Sequence, residues 1–186
     1  DAATFAAGSA PPMSARLSCL LLSLALVLLS IAGTGCSEEG GAPPDVDVGR
    51  FDVSVEGAME ASYAGEARYR LVDGQLAGFE LVIDSTSGIS IDVEHSPIER
   101  TTFQVVEWEL MQVERPGGAP GTMAFLETPN AAFEARDGTV SVTYTGEGEI
   151  GGNLDLTMEG SREGVPEDTH SIRMTGQWIA TQLRVD

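Results

Sequence analysis

Hydrophobic and polar residues alternate with a period of two through most of residues 51–186. Ala67, Tyr69 and Leu71 interleave with Arg68 and Arg70, and Phe79, Leu81 and Ile83 with Glu80 and Asp84. Ile89, Ile91 and Val93 alternate with Ser90, Asp92 and Glu94. The same rhythm returns at Val140-Val142-Tyr144, at Leu154-Leu156-Met158 and from Ile172 through Met174, Gly176 and Trp178 to Ala180. Successive side chains of a strand point to opposite faces, so each run has one apolar and one polar face. Antiparallel sheets with one wet face carry this pattern, and no stretch here has the stripe of an amphipathic helix.

Turn residues punctuate the runs. Asp73-Gly74, Ser87-Gly88, Asp137-Gly138 and Gly151-Gly152 are residues that accept a positive φ and so predict hairpin turns. Pro116 to Gly121 (PGGAPG) predicts a longer loop. Thr101 to Val113 reads as a strand carrying Phe103, Val105, Trp108, Leu110 and Val113. Its alternation slips between Val106 and Trp108, which predicts a bulge or bend. The expectation is one all-β domain over residues 50–186, an antiparallel β-sandwich or small barrel of about eight to ten strands. A domain of this size buries about two-thirds of its unfolded surface, enough without disulfides.

Upstream the pattern changes. Residues 1–12 have no periodicity and precede the first methionine, Met13, which reads as an over-extended or non-native start. Met13 to Arg16 is a short basic start, Leu17 to Ala32 an almost unbroken apolar run of 16 residues, and Gly33-Thr34-Gly35-Cys36 a small-residue exit. That layout is a helical secretory signal, and the run is shorter than the ~20 residues of a permanent span. Ser37 to Gly49 (SEEGGAPPDVDVG) is rich in Gly, Pro and acids, a poor core and a good tether. Asp45 and Asp47 lack the spacing of a calcium loop and read as part of that solvated tether.

Gly33-Thr34-Gly35-Cys36 resembles the lipobox of bacterial lipoprotein signal peptides, with Gly33 where that family carries an aliphatic residue. The resemblance implies that residues 13–35 are removed between Gly35 and Cys36 and that Cys36 is lipidated. Residues 36–49 are then the lipidated cysteine and its acidic tether. A diacylglyceryl thioether with an N-acyl chain supplies the two signals that stable anchoring needs. Cys19, the other cysteine, would leave with the signal. Ser37 follows the cysteine in place of Asp, which by the same resemblance directs the chain to the outer membrane, facing the periplasm or cell surface. The C-terminal third, from Gly138-Thr139-Val140-Ser141-Val142 through Ile150-Gly151-Gly152-Asn153-Leu154 to Gly176-Gln177-Trp178, is similar to small all-β envelope lipoproteins, with Pro120-Gly121-Thr122 extending the likeness. That resemblance implies a sandwich-like fold and brings no catalytic residues.

Composition narrows the partners. The chain has 29 acids against 10 bases, a net charge of −19, and all its bases are Arg. Loss of residues 1–35 removes one acid, Asp1, and one base, Arg16, so the charge is unchanged. Such a surface repels phosphate and anionic headgroups, which excludes nucleic acid and charge-driven membrane binding. An acidic, Lys-free surface reads as adaptation to habitat; a cation-binding surface is the alternative.

Candidate chemistry is thin. His95 and His170 have no zinc-site spacing and read as surface turn histidines. No G-x-S-x-G elbow or phosphate loop occurs, and no metal or cofactor is expected beyond the lipid on Cys36. In a strand, Glu107 and Glu109 would share a face, with Trp108 pointing the other way into the core, as Trp178 does from its own strand. That pair is the one weak candidate for a carboxylate site, and a solvated strand face is the plainer reading. The expected function is a lipid-anchored envelope lipoprotein with a non-catalytic binding or structural module, meeting an envelope protein or glycan. The alternatives are a small carboxylate-dependent, glycan-directed hydrolase and a barrel carrying a small apolar ligand.

Overall fold

The computed structural model describes residues 42–111, 118–163 and 170–183, without the side chains of Trp108 and Glu109. Residues 13–35, Gly35 and Cys36 lie outside the described residues, as does the expected core position of the Trp108 ring.

Among the described residues nine strands follow one another: β1 (Arg50–Gly57), β2 (Ala61–Val72), β3 (Gln75–Val82), β4 (Gly88–Ser96), β5 (Thr101–Val105), β6 (Gly121–Thr128), β7 (Ala131–Thr145), β8 (Glu149–Arg162) and β9 (His170–Gln182). One helical turn, α1 (Trp108–Met111), falls between β5 and β6. The strands form a closed barrel in the order β1-β2-β3-β4-β6-β5-β7-β8-β9. Closure comes from β9 pairing antiparallel with β1, from Arg50↔Ile179 to Gly57↔Ile172. Of the two expected architectures, the chain adopts the barrel. Closure removes the sheet edges, with their rows of unpaired N–H and C=O groups.

The alternation predicts the inside correctly. Phe51, Val53 and Val55 of β1, Phe79 and Leu81 of β3, Ile89, Ile91 and Val93 of β4, and Leu154, Leu156 and Met158 of β8 point into one continuous core. Ile172, Met174, Trp178 and Ala180 complete it from β9. A barrel of about eight strands is just wide enough for side chains to fill, and here Phe51, Phe79, Phe103 and Trp178 are fully buried within it. Trp178 and Phe79 pack with ring centroids 4.4 Å apart, tilted by 50°.

Two of the four predicted turns lie inside strands instead. Gly152 is buried in β8 directly opposite Trp178. A Cβ there would overlap the Ser141 carbonyl oxygen of β7 and stand 3.1 Å from the indole. The missing side chain is thus what lets β7 approach and the large ring lie across β8. Asp137-Gly138 is a bulge within β7: the register to β8 shifts between Ala135 and Asp137, and Gly138 has φ 116°. A second shift, between Val142 and Tyr144, takes Tyr144 out of the core, and its hydroxyl meets Glu149. Asp73-Gly74 does form the expected β2–β3 turn, with φ of 52° and 79°.

The expected strand from Thr101 to Val113 stops at Val105. There the Val106 N–H turns to the Thr122 carbonyl, and the chain enters α1. This corner explains why β6 shows no alternation: Gly121, Thr122, Met123 and Ala124 are buried in succession, a strand covered on both faces. The body of the fold also begins earlier than the expected tether boundary at Gly49. The Asp45 N–H donates to Gln177 Oε1 at 2.9 Å, and the Gly49 carbonyl accepts from the Ala67 N–H at 2.8 Å. Pro44 lies over Gly151, on the outer wall where β8 begins.

Candidate functional site

With the barrel interior occupied by apolar side chains, any chemistry sits on the outer wall or at the two ends. Four arginines of the wall are paired with carboxylates, and the wall remains strongly acidic. Arg173 grips Asp155 with two bonds, Nε to Oδ1 at 2.9 Å and Nη2 to Oδ2 at 2.7 Å. Arg70 Nη2 donates to Asp92 Oδ1 at 2.8 Å, Arg68 pairs with Glu66, and Arg136 lies between Glu134 and Glu159. These are cross-strand or same-face neighbours, brought together by register. The Arg173 bonds hold the Asp155 carboxyl below the usual carboxylate range.

The most featured hollow is a cleft of about 680 Å³ at the ends of β2 and β4. Buried Ala77 lies at its base, Arg70 and Val72 stand on one side, Asp92, Glu94 and His95 on the other, and Met111 of α1 adjoins. Four ionisable side chains meet here, yet three are structural ties. Arg70 and Asp92 hold each other, and Glu94 Oε2 accepts the Gly121 N–H at 2.9 Å, which seats the start of β6. His95 is exposed on this rim, as expected for a surface histidine. The cleft does not align a nucleophile with a base among the described residues.

A smaller cleft of about 330 Å³ lies at the β3–β4 loop, beside Glu80, Asp84, Ser90 and Glu127. Asp84 accepts the Thr86 N–H at 2.7 Å and its hydroxyl at 2.9 Å, and these bonds, with help from Ser87, lower its pKa. Among the described residues no group of three or more His, Cys, Asp or Glu side chains is placed to hold a metal ion.

The Glu107–Glu109 pair loses its geometric basis. Both were expected two apart on one strand face, but Glu107 precedes a helical turn that contains Glu109. The period of two does not apply there. Glu107 is exposed, with its backbone carbonyl accepting the Leu110 N–H at 2.9 Å; the side chain of Glu109 lies outside the described residues. His170, expected in a surface loop, is the first residue of β9 and half-buried, with Nε2 buried and without a partner among the described residues. Trp178 is in the core as expected, and its Nε1 also has no partner among the described residues. Sequence reasoning missed the cleft residue Met111 and the exposed apolar residues near it, because single apolar residues in connections have no period to flag them.

No family model, curated protein or solved structure matches this chain.

Proposed function

We propose that the chain is a lipid-anchored cell-envelope lipoprotein whose barrel is a non-catalytic binding or structural module. It is held at the outer membrane through Cys36 and faces the periplasm or cell surface. The observation that carries the reading within the fold is the filled interior. Phe51, Phe79, Phe103, Leu156, Met158 and Trp178 occupy the space a carrier would leave for an apolar ligand. Recognition is thereby moved to the wall and ends, where Arg70, Asp92 and Glu94 of the larger cleft are engaged as structural ties. The run from Leu17 to Ala32 followed by Cys36 supports the address. Pro44 and Asp45 already touch the barrel, so few residues separate the cysteine from the folded body. Display is the mechanism: the anchor confines the barrel to a surface, raising its local concentration toward an envelope protein or glycan.

The test is the intact mass of the protein extracted gently from its own membranes. The expected mass is that of residues 36–186 plus a diacylglyceryl group and an N-acyl chain. An unmodified chain, or one retaining Leu17 to Ala32, overturns the reading.

A further inference from the structure

Among the described residues, the exposed large apolar side chains are Val48 (55% exposed), Leu110 (45%), Val72 (39%) and Ile98 (39%). The topology brings them to one end of the barrel. Val72 closes β2 and Ile98 lies between β4 and β5, at the end where β1 begins. Val48 sits in the turn closed by the Arg50 N–H on the Asp47 carbonyl, just ahead of β1. Leu110 is on α1, whose Met111 shares a cleft with Val72 and His95. At the other end, the described turns Ala58–Glu60, Ile83–Ser87 and Pro129–Asn130 carry no exposed large apolar residue, and residues 164–169 lie outside the described residues. Single exposed apolar residues are ordinary; a set confined to one rim marks a contact surface.

We propose that this rim rests on a zwitterionic phospholipid surface, with the four apolar side chains in the headgroup layer. The inference deepens the reading above and rests on the anchor at Cys36. Two observations select lipid as the occupant. The first is reach. Cys36 precedes Pro44 by eight residues, and Pro44 is already seated at Gly151 near the start of β8, on this same end. Fully extended, such a leash spans at most about 30 Å, so an anchored barrel is kept at the membrane with this end nearby. The second is charge. Arg68, Arg70, Arg136 and Arg173 are paired on the wall, whereas Arg50 and Arg100 at this rim, and Arg162 alone at the other end, have no ion pair among the described residues. Guanidinium groups suit lipid phosphates. Asp73, Glu99 and Glu147 stand at the same end and disfavour anionic lipid, which leaves a zwitterionic surface as the match.

The experiment is hydrogen exchange of the full chain, purified from its membranes and reconstituted in phosphatidylcholine vesicles. Wild type is compared with a Val72→Ser, Ile98→Ser, Leu110→Ser variant. A second variant, Val48→Ser with Ile98→Ser, changes only connecting residues, so folding is spared. The expected result is several-fold slower exchange of the Val72–Gln75 and Ser96–Thr101 amides in wild type than in either variant, with the Ile83–Ser87 amides unchanged. Equal exchange in all three proteins overturns the proposal. So does protection that rises with protein-to-lipid ratio, since a second copy would then be the occupant. The intact mass of the same sample separates the two readings. A lipidated chain without rim protection sinks the docking alone; rim protection on an unlipidated chain supports docking and sinks the anchor.

Discussion

Replacing Trp178 tests how the barrel is filled. The side chain is fully buried, packs on Phe79 at 4.4 Å and lies across Gly152. Truncation to Ala withdraws about 150–250 Å² of buried aromatic surface, worth about 4–6 kcal/mol at 25 cal/mol per Å². Measured losses for such truncations run about 3–5 kcal/mol. Against a total stability of about 5–15 kcal/mol, Trp178→Ala removes a third or more. Trp178→Phe behaves differently. It loses the smaller indole ring but also removes an N–H that is buried without a partner among the described residues, and such an orphan costs about 1–3 kcal/mol. The two effects oppose, so the Phe variant is expected within about 1.5 kcal/mol of wild type. The assay is urea unfolding of residues 40–186, followed by far-ultraviolet circular dichroism with a common slope for all variants. If Phe costs as much as Ala, the indole N–H holds a partner in the core and the reasoning fails. It fails equally if Ala costs less than about 1 kcal/mol, because then the ring is not what fills the barrel.

Gly138→Ala is expected to cost about 1–3 kcal/mol, since Gly138 has φ 116° and a Cβ would overlap the Asp155 carbonyl oxygen; a drop in melting temperature reads it out. Asp155 has a folded pKa below its unfolded value, so its pair with Arg173 stabilises the fold above the unfolded pKa of about 4 and is lost as pH falls through the lowered folded one. Asp155→Asn should therefore flatten that acid limb slightly, because the pair is well solvated, and carbon-13 titration of the carboxyl checks the direction. Tyr144 has its pKa raised by the 2.5 Å bond to Glu149, so the bond stabilises the fold below the unfolded pKa and is lost as pH rises through the raised one. Glu149→Gln should move the phenolate transition seen by ultraviolet absorbance toward lower pH. Glu107→Gln is expected to leave stability within about 0.5 kcal/mol of wild type, as for an exposed surface residue, measured by the same urea titration.

The inward faces of β3, β4, β8 and β9 were legible because each keeps one wet and one dry side, and Phe79, Ile91, Leu156 and Trp178 are buried where the alternation puts them. Glycine was harder to read. Asp73-Gly74 and Gly151-Gly152 look alike as letters, yet the first is a turn and the second lies within β8. The difference is the cross-strand neighbour: Gly152 faces Trp178 on one side and the Ser141 backbone on the other, partners remote in sequence. β6 was illegible for a related reason. Its outer face is buried, so Met123 and Ala124 show no period.

The strand premise behind the Glu107–Glu109 pair gave way at the same kind of juncture. Glu107 and Glu109 share a face only if the strand continues, and nothing local to Val106-Glu107-Trp108 says that it stops. β5 ends because β6 and β7 pair directly below it, from Phe125↔Glu134 to Thr128↔Ala131, and leave no room for a longer strand between them. Barrel closure therefore decided where that strand stops. The same closure turned scattered apolar residues into a set. Val48, Val72, Ile98 and Leu110 belong to a turn, a strand end, a connection and α1, and have no common spacing. They acquire a meaning only when alternating strand directions carry their connections to one rim, the rim beside which Pro44 leads back toward Cys36. In a closed barrel with a filled interior, strand patterning specifies the fold, while recognition falls to the connections, where one chain's alternation carries least information.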